Sequence, residues 1–183
     1  MFKRKIRNPF LRAFAEWCVT IGAALILSLF LRTYVFRVAD VSGHSMEPTL
    51  SSRDFVVLSK VRYWFDDPQA GDIIAFPFRG NPSELYIKRI WGVPGDVIDF
   101  QYYRFMVNGV VPDYEFAQID IFSRGDVYFP FVVEEGEFFV MGDNMNSSKD
   151  SRHSVVGTVP QGDMLGRVVI RLWPPSRFGS VEP

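Results

Sequence analysis

The hydrophobic positions of the 183-residue chain fall into two unlike patterns, and the first is a single uncharged run near the N-terminus, residues 17–31. As a helix this run is about 22 Å long, which is shorter than the ~30 Å hydrocarbon core of a bilayer. Residues 13–36 cover the core if Glu16 and Arg32 lie at the two interfaces. The pattern therefore predicts one transmembrane anchor helix over residues 13–36.

A cleavable signal peptide is the competing interpretation of a basic start followed by an apolar run. Bulky and charged residues follow the run in the segment RTYVFR, residues 32–37, and no small-x-small pair marks a cleavage site there. We therefore expect a retained anchor. The preceding segment, residues 1–12, is basic, with Lys3, Arg4, Lys5, Arg7 and Arg12. Positive flanks stay in the cytoplasm, so residues 37–183 are expected on the extracytoplasmic face of the cytoplasmic (inner) membrane.

The second pattern begins near Val38, where short apolar runs alternate with turn signals. The predicted strands cover residues 55–58, 72–76, 85–91, 97–100, 138–141 and 168–170. Asn108-Gly109 lies between two apolar pairs and is a strong hairpin-turn signal. No long amphipathic helix appears in this part of the sequence. The fold class expected is mainly β, one β-rich domain on a single membrane helix.

Composition and charge exclude several kinds of function. The net charge is -1, which gives no reason to expect nucleic-acid binding. The one cysteine, Cys18, has no partner for an intramolecular disulfide and lies in the apolar run, so a cysteine nucleophile is excluded. Two histidines offer little for zinc, and the acidic spacing does not match an EF-hand. These residues therefore give no sign of a metal site.

The segment VSGHSMEPTL, residues 41–50, places two serines beside a histidine. A serine hydroxyl is a weak nucleophile until a nearby base accepts its proton. His44 is the nearest base in sequence to Ser45, but neighbouring side chains in an extended chain point to opposite faces. We therefore expect His44 to be an exposed loop residue rather than the base.

Lys88 is a less obvious base, because it lies within a predicted strand. Alternation puts Tyr86, Lys88 and Ile90 on one face of that strand and Arg89 on the other. Burial on an apolar face lowers the pKa of a lysine from about 10.4, and a neutral amine poised at about 7 to 8 serves as a general base. Spacing alone favours the alternative, in which Lys88 points to solvent beside Arg89 as most lysines do.

Two further segments bear on the site. The loop GDNMNSSKDSR, residues 142–152, follows a predicted strand and is rich in short polar side chains that fix loops or supply hydroxyls and carboxylates. Aromatic residues at 64–65 and 76–78 lie next to turn formers. They fit either core packing or contact with the lipid bilayer.

Together these segments resemble bacterial type I signal peptidases, the membrane-anchored serine proteases that remove signal peptides from exported proteins. The resemblance lies in the N-terminal anchor followed, in order, by SGHSMEPTL at 42–50, GDIIAF at 71–76, YIKRIWGVPGD at 86–96 and GDNMNSSKDSR at 142–152. It implies packed antiparallel sheets with a smaller hairpin excursion around residues 97–131. It also implies cleavage after small residues at the first and third positions before the cut.

The resemblance implies a role for each motif residue. Ser45 is the nucleophile and its backbone N–H helps to bind the oxyanion, Lys88 is the general base, and Ser148 orients the lysine amine. Supporting contacts are implied for four charged residues: Asp150 and Arg152, which brace the loop, and Asp143 and Arg89.

The chain departs from the family pattern at two positions. Some members carry a serine two residues before the nucleophile that donates to the oxyanion, whereas Gly43 stands here. The loop motif usually has arginine after Gly-Asp-Asn, whereas Met145 stands here, so one ion pair is expected to be absent.

Three rival interpretations remain. One is a related Ser-Lys peptidase of narrower substrate range, such as a pilin or conjugation-protein processing enzyme. Another is a membrane-tethered β domain that only binds a partner. The third is a Ser-His-Asp enzyme formed by Ser45, His153 and Asp150.

Overall fold

The computed structural model describes residues 9–181 of the chain. The chain divides into two compact units, one up to Phe36 and the other from Arg37 onward. Most of the predicted basic segment, including Lys3, Arg4, Lys5 and Arg7, lies outside the described residues.

The first unit is a helix. Helix α1 spans Pro9–Phe30 and continues as a π-helical turn over Leu31–Val35. Among the described residues, Phe10–Val35 is the one helical segment long and apolar enough to cross a membrane, with 26 residues and a mean hydropathy of 2.0. At 1.5 Å per residue it is about 39 Å long, which exceeds the hydrocarbon thickness of a bilayer. Its apolar side chains are exposed along most of its length, which is compatible with membrane anchoring.

The second unit is built from antiparallel strands, so the mainly β fold class is confirmed. The strands among residues 9–181 are β1 (Phe36–Asp40), β2 (Phe55–Ser59), β3 (Ile73–Phe78), β4 (Asn81–Gly92), β5 (Val97–Gln101), β6 (Arg104–Val107), β7 (Phe131–Val132), β8 (Glu137–Met141), β9 (Val159–Pro160), β10 (Gly166–Trp173) and β11 (Gly179–Ser180). The larger sheet has the order β1-β2-β10-β3-β4-β8-β9, with β11 paired to β10. All six predicted strands are present.

The smaller sheet has the order β6-β5-β7. Asn108-Gly109 forms the predicted turn, with φ angles of 52° and 80°. The chain after this turn pairs back only through a bridge between Val107 and Val110. A short 3-10 helix, Glu115–Gln118, then leads towards β7.

Strand β4 connects the two sheets and contributes to three separate hydrophobic clusters. Ile87 packs with Leu58 and Val168 on one face of the larger sheet, and Ile90 packs with Phe138 and Val140 on the other. Trp91 belongs to the cluster beneath the smaller sheet. The predicted alternation along this strand is therefore confirmed at its apolar positions.

The aromatic segments 64–65 and 76–78 differ in burial. Trp64 and Phe65 are exposed, following the 3-10 helix Arg62–Trp64. Phe76 is buried, and the half-buried Phe78 ring stacks on Tyr86 with centroids 4.7 Å apart. Core packing therefore accounts for residues 76–78. The side chains of Trp64 and Phe65 are not packed in the core formed by the described residues.

Candidate active site

Ser45 and Lys88 meet beside strand β4 of the larger sheet. Lys88 Nζ donates a hydrogen bond to Ser45 Oγ at 2.6 Å. Strand β4 fixes the position of Lys88, because Lys88 pairs with Ile74 of β3 in the antiparallel ladder. Buried Met46 and Leu50, which pack in the core of the larger sheet, anchor the turn that carries the serine. Side chains 43 positions apart therefore form the contact that a Ser-Lys dyad requires.

Lys88 lies in an environment that favours its neutral form. Its side chain is buried, so the solvent-facing arrangement that spacing favoured is wrong. Burial lowers the pKa of Lys88 from 10.5 to about 8, although the carboxylates of Asp150 and Asp143 partly offset this effect. The Tyr86 ring, whose centre lies 5.1 Å from the Nζ atom, favours the charged amine as the carboxylates do, but burial outweighs these effects. A lysine with this pKa is neutral in a useful fraction of molecules near pH 8.

His44 is exposed, as expected, but for a different reason from the one proposed. Residues 43–49 form turns rather than an extended strand, so strand alternation does not determine where His44 points. Its Nδ1 lies 2.9 Å from Glu47 Oε1, and no hydrogen bond joins it to Ser45 among the described residues. The other histidine, His153, has a buried Nδ1 without a hydrogen-bond partner in residues 9–181. A Ser-His-Asp arrangement of Ser45, His153 and Asp150 is not formed.

The loop after β8 packs directly against the turn that carries Ser45. Asn144 N–H donates to the Ser45 carbonyl oxygen at 3.0 Å. A Cβ atom at Gly142 would lie 2.3 Å from that same oxygen and 2.4 Å from Ser148 Oγ, so only glycine fits there. No described residue accepts a hydrogen bond from the Ser45 N–H, which leaves this donor available to an oxyanion.

Ser148 lies beside the dyad without joining it. Its hydroxyl is buried, next to Gly142, and has no hydrogen-bond partner in the described part of the chain. The bond from Ser148 to the Lys88 amine that the resemblance implies is therefore not formed in this structure. The orienting role of Ser148 stays a prediction.

Asp150 and Arg152 form a fully buried ion pair within the loop. Asp150 accepts hydrogen bonds from Arg152 Nε at 2.7 Å and Nη2 at 2.8 Å, and from the Gly142 N–H at 3.0 Å. Arg152 also donates to the carbonyl oxygens of Met145 and Ser123, at 2.7 and 2.9 Å. The pair thus cross-links the two ends of the loop and ties it to the segment before β7.

Met145 occupies the position where the family usually has arginine. Its side chain is fully buried among Trp91, Phe139 and Met141 under the smaller sheet. An apolar anchor therefore stands here in place of an ion pair, and the Met145 carbonyl still serves Arg152.

Arg89 and Asp143 form a second buried ion pair, on the face of β4 opposite Lys88. Arg89 Nε and Nη2 donate to the two Asp143 oxygens at 2.9 and 2.8 Å, and Nη1 donates to the Gly71 carbonyl oxygen at 2.9 Å. Thr49 Oγ1 donates to Asp143. This bond links the segment after Ser45 to the loop.

Sequence reasoning missed three residues of this ion-pair site. Thr49 lies inside the first motif, so its position was a usable signal. The rings of Tyr114 and Phe116 stack with centroids 5.1 Å apart, and the Arg89 guanidinium carbon lies 5.0 and 5.2 Å from them. These rings come from the excursion of the smaller sheet, and no local sequence signal indicates that contact.

A cleft of about 210 Å³ opens beside the dyad. Residues 40–46 form one wall, residues 84–88 of β4 form the other, and Ser147 and Lys149 of the loop complete it. Gly43 lies in the first wall with φ at 86°, a conformation that side chains rarely adopt. Among the described residues, no group of three or more histidine, cysteine or acidic side chains is arranged to hold a metal ion.

Comparison with known proteins gives consistent matches. The profile of the family described as signal peptidase, peptidase S26, matches residues 14–173. Signal peptidase I of Leptolyngbya laminosa is 37% identical over 176 residues, covering 92% of this chain and 84% of that protein. Probable signal peptidase I-2 of Synechocystis sp. (strain ATCC 27184 / PCC 6803 / Kazusa) is 32% identical over 185 residues, covering 96% of this chain and 81% of that protein.

Among solved structures, a crystal structure of a signal peptidase I from Enterococcus faecalis V583 matches with a TM-score of 0.45 and 28% sequence identity. The match covers 56% of this chain and 97% of that one.

Proposed function

Because this chain belongs to the signal peptidase family, peptidase S26, we propose that it removes signal peptides from preproteins with Ser45 as the nucleophile and Lys88 as the general base. The observation that carries the assignment is the 2.6 Å contact between Ser45 Oγ and a buried lysine amine. The enzyme is a peptidase, and the dyad is the mechanism that fits its geometry best.

The first half of the reaction forms an ester on Ser45. Neutral Lys88 accepts the hydroxyl proton as Ser45 Oγ attacks the carbonyl carbon at the cut. The carbonyl oxygen becomes an oxyanion, which the Ser45 N–H binds; one such donor contributes about 3 to 4 kcal/mol to transition-state stabilisation. The lysine ammonium then gives its proton to the leaving nitrogen, and the C–N bond breaks. The mature protein leaves with a free amino group.

The second half releases the signal peptide. Lys88, neutral again, accepts a proton from a water molecule that attacks the ester carbonyl. Collapse of the second oxyanion breaks the bond to Ser45 Oγ, which regains its proton from Lys88. The signal peptide leaves with a free carboxylate. This cycle requires no metal and no organic cofactor.

The cleft supports binding of the signal region as an extended strand. Its two walls, residues 40–46 and 84–88, present chain edges between which a peptide backbone fits. Small side chains at the first and third positions before the cut fit shallow apolar pockets beside the dyad.

We further propose how the enzyme lies in the membrane. Phe10–Val35 contacts the lipid bilayer as an anchor, and the basic segment 1–12 stays in the cytoplasm. Residues 37–183 then act on the extracytoplasmic face of the cytoplasmic membrane, where a cleavage site emerges. A C-terminal epitope tag that external protease removes from intact spheroplasts supports this orientation, and a protected tag contradicts it.

The test of function is cleavage of a generic preprotein by the full chain in detergent. The wild-type protein is expected to cut it once, after a small residue, and Ser45→Ala is expected to leave it intact. A peptidase of narrower range leaves the generic preprotein uncut but forms an acyl-enzyme with its own substrate. A binding domain forms no acyl-enzyme at Ser45 with any preprotein.

A further inference from the structure

The smaller sheet contains two tight turns of the same conformation and very different sequence. Asn108 and Gly109 have φ angles of 52° and 80°, and Tyr102 and Tyr103 have φ angles of 50° and 62°. A two-residue hairpin turn with both central residues at positive φ prefers Asn-Gly, because bulky side chains are strained there. The first turn follows this rule. The Tyr-Tyr turn, between the paired Gln101 and Arg104, places two bulky side chains at these strained positions.

Strain of this kind persists where the side chains have a use. Tyr102 is 85% exposed and Tyr103 is 60% exposed, so neither ring is used in the core. Phe122 is 81% exposed, and its ring centroid lies 6.2 Å from that of Tyr103. We call these three residues the aromatic patch. All three rings are exposed, and those of Tyr103 and Phe122 lie next to each other.

The aromatic patch is tied to the active-site loop. Phe122 N–H donates to Asn146 Oδ1 at 3.0 Å, and Asn146 Nδ2 donates to the Asp120 carbonyl oxygen at 3.0 Å. The residue after Asn146 is Ser147, which lines the cleft beside the dyad. A polypeptide that leaves the cleft past Ser147 therefore meets Phe122 within a few residues of the cut.

The direction of the bound chain follows from strand β4. The residues of β4 that line the cleft, 84–88, end at Lys88. Beyond Lys88 the strand continues to Gly92 and enters the smaller sheet at Val97. If the signal region occupies the cleft, as the proposed function requires, the segment after the cut leaves from the Lys88 end. That end faces the smaller sheet.

We propose that the aromatic patch binds the segment of the preprotein that follows the cleavage site. This inference rests on the proposed function and extends it to a second binding surface. Aromatic rings contact an unfolded chain with little dependence on its sequence, and tyrosine hydroxyls bind peptide groups. Such a surface suits an enzyme that must accept many different mature proteins.

The test compares two substrates with the same signal region and the same cut. The short one ends two residues after the cut, and the long one continues for about ten more residues, or about 30 Å of extended chain. The double variant Tyr102→Asn, Tyr103→Gly removes both rings and gives the turn its preferred sequence. Phe122→Ser is the second variant, and Phe65→Ser, at an exposed aromatic outside the patch, is the matched control. All are full-length proteins, assayed both in detergent and on liposomes.

Both patch variants are expected to raise KM for the long substrate about fivefold, the effect of losing an aromatic contact at an interface. Their kcat values, their kinetics with the short substrate and the Phe65→Ser kinetics are expected to match wild type. The Asn-Gly variant is also expected to melt no lower than wild type, so a loss of processing cannot be assigned to misfolding.

Three results would overturn the proposal: an unchanged KM for the long substrate, an equal loss with both substrates, or a loss that appears only on liposomes and follows vesicle binding rather than substrate length. The last would assign the patch to the bilayer. Failure of the dyad assignment gives a different result, because Ser45→Ala then retains cleavage. In that case the ratio of KM for the long substrate to KM for the short substrate still tests the aromatic patch.

Discussion

Lys88 Nζ lies 2.6 Å from Ser45 Oγ, whereas the ring of His44, the residue next to Ser45, is paired with Glu47 in solvent. The amine that contacts the Ser45 hydroxyl therefore comes from a strand distant in sequence, and the neighbouring histidine makes no such contact. Variants of Lys88, His44 and His153 distinguish a lysine base from a histidine base.

Lys88→Ala is expected to reduce preprotein cleavage by about 10⁴-fold, because Ser45 loses the amine that contacts its hydroxyl. His44→Ala and His153→Ala are expected to keep most of the activity. Quantitative gel assays of preprotein processing measure all three, and circular dichroism checks that the Lys88 variant is folded. Turnover by Lys88→Ala within tenfold of wild type contradicts the dyad.

The pH profile of kcat/KM should reflect the pKa of Lys88. Below about pH 8 the amine is protonated and cannot accept the serine proton, so activity is expected to rise with pH through about 8 and then level off. Each unit below that pKa lowers the rate by about tenfold. His44→Gln and His153→Gln are the controls, because they remove the two histidines of the chain. If the rise of kcat/KM with pH disappears in either variant, that rise belongs to the histidine and not to Lys88.

Gly142→Ala tests the contact between the loop and the nucleophile. A methyl group there would lie 2.3 Å from the Ser45 carbonyl oxygen, so the turn or the loop must move. Displacement of a reacting group by about 1 Å costs about a hundredfold in rate. The matched control is Gly162→Ala, which has no neighbour within 4 Å and no positive φ. Cleavage rates of one peptide substrate are measured for Gly142→Ala and Gly162→Ala. Equal rates for the two variants argue against the contact.

Arg89→Lys tests the brace on the far side of β4. Lysine cannot reproduce the paired donation to Asp143 or the contact with the Tyr114 and Phe116 rings. The free energy of unfolding is expected to fall by about 2 to 3 kcal/mol, the cost of leaving a buried charged group poorly bonded. Arg104→Lys, at a largely exposed pair with Asp120, is expected to change it by less than about 0.5 kcal/mol. Thermal unfolding of the full chain in detergent measures both, and similar losses would refute the brace.

The sequence was informative wherever the signal was local or periodic. Strand alternation placed Tyr86 and Ile87 on opposite faces of β4, and composition placed the one apolar helix. The burial of Lys88 could not be predicted from the sequence. Strand periodicity shows which residues lie on the same face of a strand, but it does not show what packs against that face. The stacking of Tyr114 and Phe116 on Arg89 was likewise hidden, since it depends on how the excursion folds back over the larger sheet.

The turn at residues 43–49 gives a different lesson. Sequence reasoning assumed extended chain there and reached the right position for His44 by the wrong geometry. The cis peptide bond between Glu47 and Pro48 and the positive φ of Gly43 belong to a turn whose form follows from tertiary contacts, through Met46 in the core and Asn144 at the Ser45 carbonyl. Neither contact is encoded within the ten residues themselves.

Strand β4 places the Lys88 amine and the Arg89 guanidinium at consecutive positions on opposite faces. A slip of one residue in its pairing with β3 would exchange them and present to Ser45 a group that never gives up its proton. On the proposed mechanism, a chain paired in the slipped register has no base for Ser45 and is inactive. Active-site titration of a refolded sample is therefore expected to exclude every chain that paired in that register.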